Sequence, residues 1–133
     1  MVSPNEPLPE REAEGKREAR HFIGALAGEV DSCQQACLHC HEVCRKIAFD
    51  VSAGAGQGMR LDDVRLLFEC AELCQLSANW QLSGSQYCRQ ICAVCAQLCR
   101  ECESRCAGKM NMEECEYVCR RCAESCEAMA AMA

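Results

Sequence analysis

The chain of 133 residues sets 14 Lys and Arg against 20 Asp and Glu, a formal charge of −6, and 16 of its residues are cysteine. That length fits one domain with a modest core, and with its Arg and Lys scattered the chain lacks the clustered basic surface that nucleic-acid phosphates require. Half of the residues count as hydrophobic, yet aromatics are limited to one Trp, two Tyr and three Phe, so sulfur supplies much of the interior.

Residues 1–15, with Pro4, Pro7 and Pro9 among charges, read as a flexible N-terminal tail, and 16–133 as a single Cys-rich helical domain. The tail lacks the uninterrupted apolar stretch of some 7 to 15 residues that a secretory signal needs. No run approaches the roughly 18 to 20 apolar residues that cross a bilayer, so no membrane partner is expected. The expected compartment is the cytoplasm, where thiols stay reduced. A first helix is predicted from Lys16 to about Ala53, with a break near Gly28 and Asp31 or Ser32 capping the segment beyond it. Ala53-Gly54-Ala55-Gly56-Gln57-Gly58 ends it in a loop. A second helix spans about Leu61 to Leu82, and Ser83 and Gln86 have the spacing of a capping box for a third, which runs to about Cys106. Gly108 suits the carboxyl-terminal cap of that helix. Asn111-Met112-Glu113-Glu114 reads as the start of a fourth, reaching about Met129. Four helices of roughly 20 residues with short connections predict an all-α, antiparallel up-down four-helix bundle.

The cysteines fall at Cys33, Cys37, Cys40 and Cys44 in the first helix and at Cys70 and Cys74 in the second. The third carries Cys88, Cys92, Cys95, Cys99, Cys102 and Cys106, and the fourth Cys115, Cys119, Cys122 and Cys126. They make eight Cys-x-x-x-Cys pairs. Steps alternating four and three keep every thiol of a helix within an arc of roughly 80°, the stripe that a bundle helix turns toward its partners. The four stripes converge on the axis as a tube of thiols. Cysteine as ordinary core filler explains this poorly, because packing does not call for one small residue at nearly every inward position of two helices. Disulfides are opposed by the reducing compartment and by the dihedral requirements of the bond.

A metal fits the spacing directly. Thiols at i and i+4 spring from Cβ atoms about 5 to 6 Å apart, and two metal–sulfur bonds of about 2.3 Å span at most roughly 4.6 Å between sulfurs. Cu(I) is soft and accepts low-coordinate, bridging thiolates, whereas zinc usually takes four ligands. Four separate zinc sites of four cysteines would leave about −8 in a desolvated tube, while about one Cu(I) per thiolate leaves the tube nearly neutral. Zinc-structured four-cysteine sites in an interaction protein are the alternative. The spacings do not match those of iron–sulfur ferredoxins. With no nucleophile–base arrangement and no phosphate loop, the chain does not read as an enzyme.

The repeated Cys-x-x-x-Cys-x-x-Cys-x-x-x-Cys pattern on four helices, over about residues 30 to 130, resembles the four-helix-bundle copper storage proteins of bacteria, and among them the cytosolic type. The resemblance implies many Cu(I) ions in the bundle core, held by the sixteen cysteines, and homotetramers of bundles. Copper from a copper chaperone or a small thiol is the expected partner. Auxiliary candidates follow from helical phase. His41 lies at the edge of the first stripe, as a ligand or a surface residue; His21 and His39 lie off it. Met129, three residues past Cys126, extends the fourth stripe as a thioether ligand or a plug. Met59, Met110, Met112 and Asp63 gather at the opposite end, the methionines as copper-transfer thioethers or plain loop residues. Asp63 is either on the inward phase or simply serving the helix dipole. Ile47 and Val51 continue the first stripe as apolar plugs.

Overall fold

The computed structural model describes residues 10–55 and 58–132, with side chains from Gly28 onward except those of Glu29 and Ala55. Residues 1–9 of the expected tail, and Gly56 and Gln57 of the expected loop, lie outside the described residues. Four helices follow in order: α1 Glu10–Asp50, α2 Leu61–Ser83, α3 Cys88–Cys106 and α4 Glu113–Ala131. No break occurs near Gly28, and α1 begins before Lys16, so Asp31 and Ser32 lie inside a helix rather than at a cap. A single glycine costs a helix only about 1 kcal/mol, which its neighbours easily supply. The far end of α1 passes into a π-helical turn, Val51–Ala55, where Gly54 takes φ 97°.

Local chemistry sets the other boundaries. Asp62 and Asp63 occupy the first turn of α2, where the dipole favours them, and the Asp63 carboxylate accepts the backbone N–H of Arg60 at 3.1 Å. Gly84, at φ 69°, closes α2: its N–H reaches the Gln81 carbonyl and the Ser85 N–H reaches that of Trp80. Ser83 is the last residue of α2 and bonds back to the Trp80 carbonyl, so the expected Ser83–Gln86 capping box does not form. The turn is held instead by Ser85, whose Oγ accepts the Tyr87 N–H. Gly108, at φ 75°, follows the end of α3 as expected.

Around the axis α1 packs on α2, α2 on α3, α3 on α4 and α4 back on α1. Cys33 meets Cys126 while Cys44 meets Cys119, and Cys102 and Cys106 meet Cys115, so successive helices run antiparallel. The bundle expected from the sequence is the one observed. Alanines 36, 48, 71, 78, 96 and 123 are buried at the seams, which lets the helices close tightly around the sulfur. On the outer surface Arg100 pairs with Glu127 at 2.8 Å and Arg120 with Glu103 at 2.7 Å, tying α3 to α4. Their arginines lie in solvent, which screens the pairs, so they contribute little to stability. Among the described residues no helix is long and apolar enough to cross a membrane.

Candidate metal centre

All sixteen cysteines carry free thiols, and all but Cys88 are buried. Their burial follows from the stripe, since each helix turns its four-and-three positions to the axis and leaves charged residues outside. Within a helix, Cys40 and Cys44 lie 3.8 Å apart and Cys95 and Cys99 lie 4.0 Å apart. Contacts between helices are as close: 3.6 Å for Cys37–Cys126, Cys44–Cys119 and Cys74–Cys99, and 3.7 Å for Cys70–Cys99 and Cys74–Cys122. Close sulfur pairs are thus available both within a Cys-x-x-x-Cys pair and between helices. Metal–sulfur bonds of about 2.3 Å put sulfurs roughly 4.0 Å apart in a trigonal site and roughly 3.8 Å in a tetrahedral one. Sulfurs from several helices therefore lie close enough to share or bridge ions.

Groups of four buried thiols lie with their sulfurs within 4.8 Å of one another, and the groups overlap. Cys40 belongs with Cys70, Cys74 and Cys99 and also with Cys44, Cys70 and Cys119. Cys122 belongs with Cys37, Cys95 and Cys126 and also with Cys74, Cys95 and Cys99. Three of the groups share no sulfur, but the remaining Cys33, Cys88, Cys92 and Cys106 are split between the two ends, so the sixteen thiols do not divide into four self-contained four-cysteine sites. The column suits bridging thiolates and many ions.

The thiols also hydrogen-bond to one another. Cys122, stabilised first by Cys126 and then by Cys37, Cys40 and Cys74, is held below the ordinary thiol range, and Cys126 is pushed above it, chiefly by Cys122. Neighbouring thiols can steady a thiolate formed among them, while burial opposes the build-up of further charge. Each bound metal ion must displace protons.

The auxiliary candidates are differently placed. Met129 and Met112 are buried at opposite ends of the column, and Met59 packs against the core, as do Ile47 and Val51. Met110 is 68% exposed. Asp63 is buried, with one oxygen 2.9 Å from Arg105 and the other 3.0 Å from Lys109. Burial would raise its pKa, but Lys109, the Arg60 N–H and Arg105 together hold it at about 2. Its lone pairs face cations. His41 has Nδ1 2.7 Å from the Ala71 carbonyl, which directs the ring to the α1–α2 seam.

Two polar residues of the column escape a reading confined to cysteine. Ser77 and Gln81 are both buried and continue the α2 stripe, since 70, 74, 77 and 81 repeat the steps of four, three and four. Ser77 Oγ lies 3.8 Å from the sulfurs of both Cys37 and Cys92. The Gln81 amide donates toward Cys33 at 3.5 Å and Cys92 at 3.6 Å. Extending the thiol spacing beyond Cys74 locates both.

Fold and site together define a helical-bundle metal reservoir, a tube of shared thiols matched to a soft ion. Residues 26–131 match the family model described as copper storage protein. The Nmul_A1745 protein of Nitrosospira multiformis, known from its crystal structure, is 40% identical, with a TM-score of 0.75 over 79% of this chain and 97% of that one. The Cu(I)-bound copper storage protein BsCsp3 is 30% identical, with a TM-score of 0.71 over 77% of this chain and 99% of that one. An uncharacterized cysteine-rich protein of Bacillus subtilis, YhjQ, is 32% identical across 76% of this chain and 95% of its own length. The chain belongs to the copper storage protein family, and its thiol column is the core that holds multiple Cu(I) ions.

Proposed function

We propose that the chain is a cytoplasmic store that takes up about one Cu(I) per cysteine, acting as a reservoir and not as a catalyst. The observation that carries this reading is the overlap of the four-thiol groups along the whole axis. Three of the groups, Cys37/Cys95/Cys122/Cys126, Cys40/Cys70/Cys74/Cys99 and Cys44/Cys102/Cys115/Cys119, share no sulfur. Zinc in those three would strand the other four thiols and leave about −6 in the tube, whereas Cu(I) at low coordination uses every thiol and tolerates sulfur shared between neighbouring groups. One Cu(I) replacing one proton at each thiol also leaves the tube close to neutral, which a desolvated interior favours.

The ligand set is the sixteen cysteines, with the buried thioethers Met129 and Met112 extending the column at its two ends. Met59 packs against the core. Exposed Met110, ion-paired Asp63 and seam-bound His41 are left outside it. Residues 16–133 form the storage domain and 1–15 an extension without part in binding. Assembly into homotetramers, and supply by a copper chaperone or a small thiol, complete the reading on the strength of the family resemblance.

Anaerobic titration of the reduced chain with Cu(I), followed by thiolate-to-metal charge-transfer absorption, is expected to plateau at about 16 equivalents. A plateau near four equivalents would replace storage with discrete four-cysteine sites.

A further inference from the structure

Taking the column as a Cu(I) store, we propose that its end beside the α2–α3 turn is an exchange port. Cys88, Met129 and Met132 form an outer landing site there, and Gln81 stands between that site and the inner thiols.

Three observations converge on this end. Cys88 is the one cysteine that is not buried; as the first residue of α3 it lies at the rim, its thiol donating to the Trp80 carbonyl at 3.4 Å. A cavity of about 260 Å³ opens beside it, lined by Cys88, Gln81, Met129, Met132, Val30 and Arg89. Gln81 is only 5% exposed, and its amide nitrogen faces Cys33, Cys37, Cys92 and Ser77. Its carbonyl oxygen is buried with no partner. Whichever way the amide is turned, one polar end meets the thiols and the other stays unsatisfied, a cost that a purely structural residue would avoid.

The chemistry of the lining suits transfer. A half-exposed thiol can meet an incoming Cu(I)–thiolate complex, and Arg89, at the rim, attracts such a complex when it is anionic. The Cu(I)–sulfur bond to the donor breaks as the bond to Cys88 forms, and the Cys88 proton leaves on the departing donor thiol; no electron moves. Thioethers bind Cu(I) more weakly than thiolates, so Met129 and Met132 hold the ion without trapping it. Gln81 is a positioning residue: an amide oxygen is too hard to compete for Cu(I), while its N–H groups steady the sulfurs of Cys33 and Cys92 as they lose protons.

The test is stopped-flow loading of the full-length reduced chain from a Cu(I)–glutathione complex under anaerobic conditions. Cys88→Ser and Met129→Leu are each expected to slow loading by about tenfold or more, because a hard hydroxyl or a hydrocarbon cannot take Cu(I) from a thiol. The end point should fall by no more than about one Cu(I). The combined Met59→Leu, Met110→Leu and Met112→Leu variant should slow loading far less. One equivalent of maleimide should label Cys88 first and slow loading in the unmutated chain, a readout independent of variant folding. Loading at the normal rate after both changes at this end, or equal slowing by the methionine triple, overturns the port while leaving storage intact. A wild-type plateau near four equivalents removes both readings.

Discussion

At the end where the α1–α2 and α3–α4 connections meet, Asp63 sits 2% exposed between Arg105 and Lys109, and buried Met112 and the 2.8 Å Cys106–Cys115 contact lie on the same side. At the other end a neutral carboxamide, Gln81, leaves one polar atom without a partner beside a cavity and a half-exposed thiol. The first end is stitched by charge and presents cations to an approaching Cu(I). The second has a neutral amide at its inner face, a cation, Arg89, in its lining, and the reachable sulfur. One helix makes the difference: α2 has thiols only at Cys70 and Cys74, and places a carboxylate before them and a hydroxyl and an amide after them. Capacity thus resides in the middle of the bundle, and stability and access are divided between its ends.

The largest effect separates middle from ends. Changing Cys74, Cys95, Cys99 and Cys122 to serine removes one complete four-thiol group together with sulfurs shared by its neighbours. Capacity is expected to fall by roughly four Cu(I) ions or more, since serine oxygen is hard and weakly acidic. Full capacity in the titration would mean that the column is not the store.

A smaller effect belongs to the ion-paired end. Asp63→Asn leaves Arg105 and Lys109 without their carboxylate, and the expected loss of apo stability is about 1–2 kcal/mol, reduced because both cations can turn into water. Asp63 is held at about 2, below its unfolded value of about 3.9. Its contribution is therefore complete above that unfolded value and disappears as pH falls through about 2. Thermal melts of both proteins should differ at pH 7 and converge near pH 2. A constant difference across that range would mean that the carboxylate charge is not what closes this end.

The thiol stripe and the bundle were legible in the sequence because spacings of three and four admit one helical face, and four such faces admit one axis. Met129 and Asp63 followed from phase in the same way. Features that depend on which helix faces which were not legible. Arg105 and Lys109 come from the end of α3 and the loop after it, and no local pattern links them to Asp63. The sulfur contacts between helices, as short as those within one, likewise exist only once the register is set. Ser83 looked like a cap because its spacing to Gln86 was right, but α2 keeps Ser83 and ends one residue later at Gly84. Ser77 and Gln81 have a signal in their register, which repeats the thiol spacing, but their residue types carry no soft-metal signal.

That register permits the most selective test, with the smallest expected change. Ser77→Cys replaces an oxygen already 3.8 Å from two thiols by a sulfur of similar size, at a position with no solvent exposure. Gln81→Cys is less conservative, because it opens a small cavity, yet it also removes the unpartnered amide oxygen, and the two effects oppose each other. If the number of thiolates on the axis sets the number of ions, each change should add about one Cu(I), and the pair about two. Both should remain folded without metal, as judged by helical circular dichroism. Unchanged capacity in a folded double variant would show that the geometry of bridged clusters, and not the count of sulfurs, limits the store; α2 would then carry oxygen and amide at this end because a thiol there has no ion to hold.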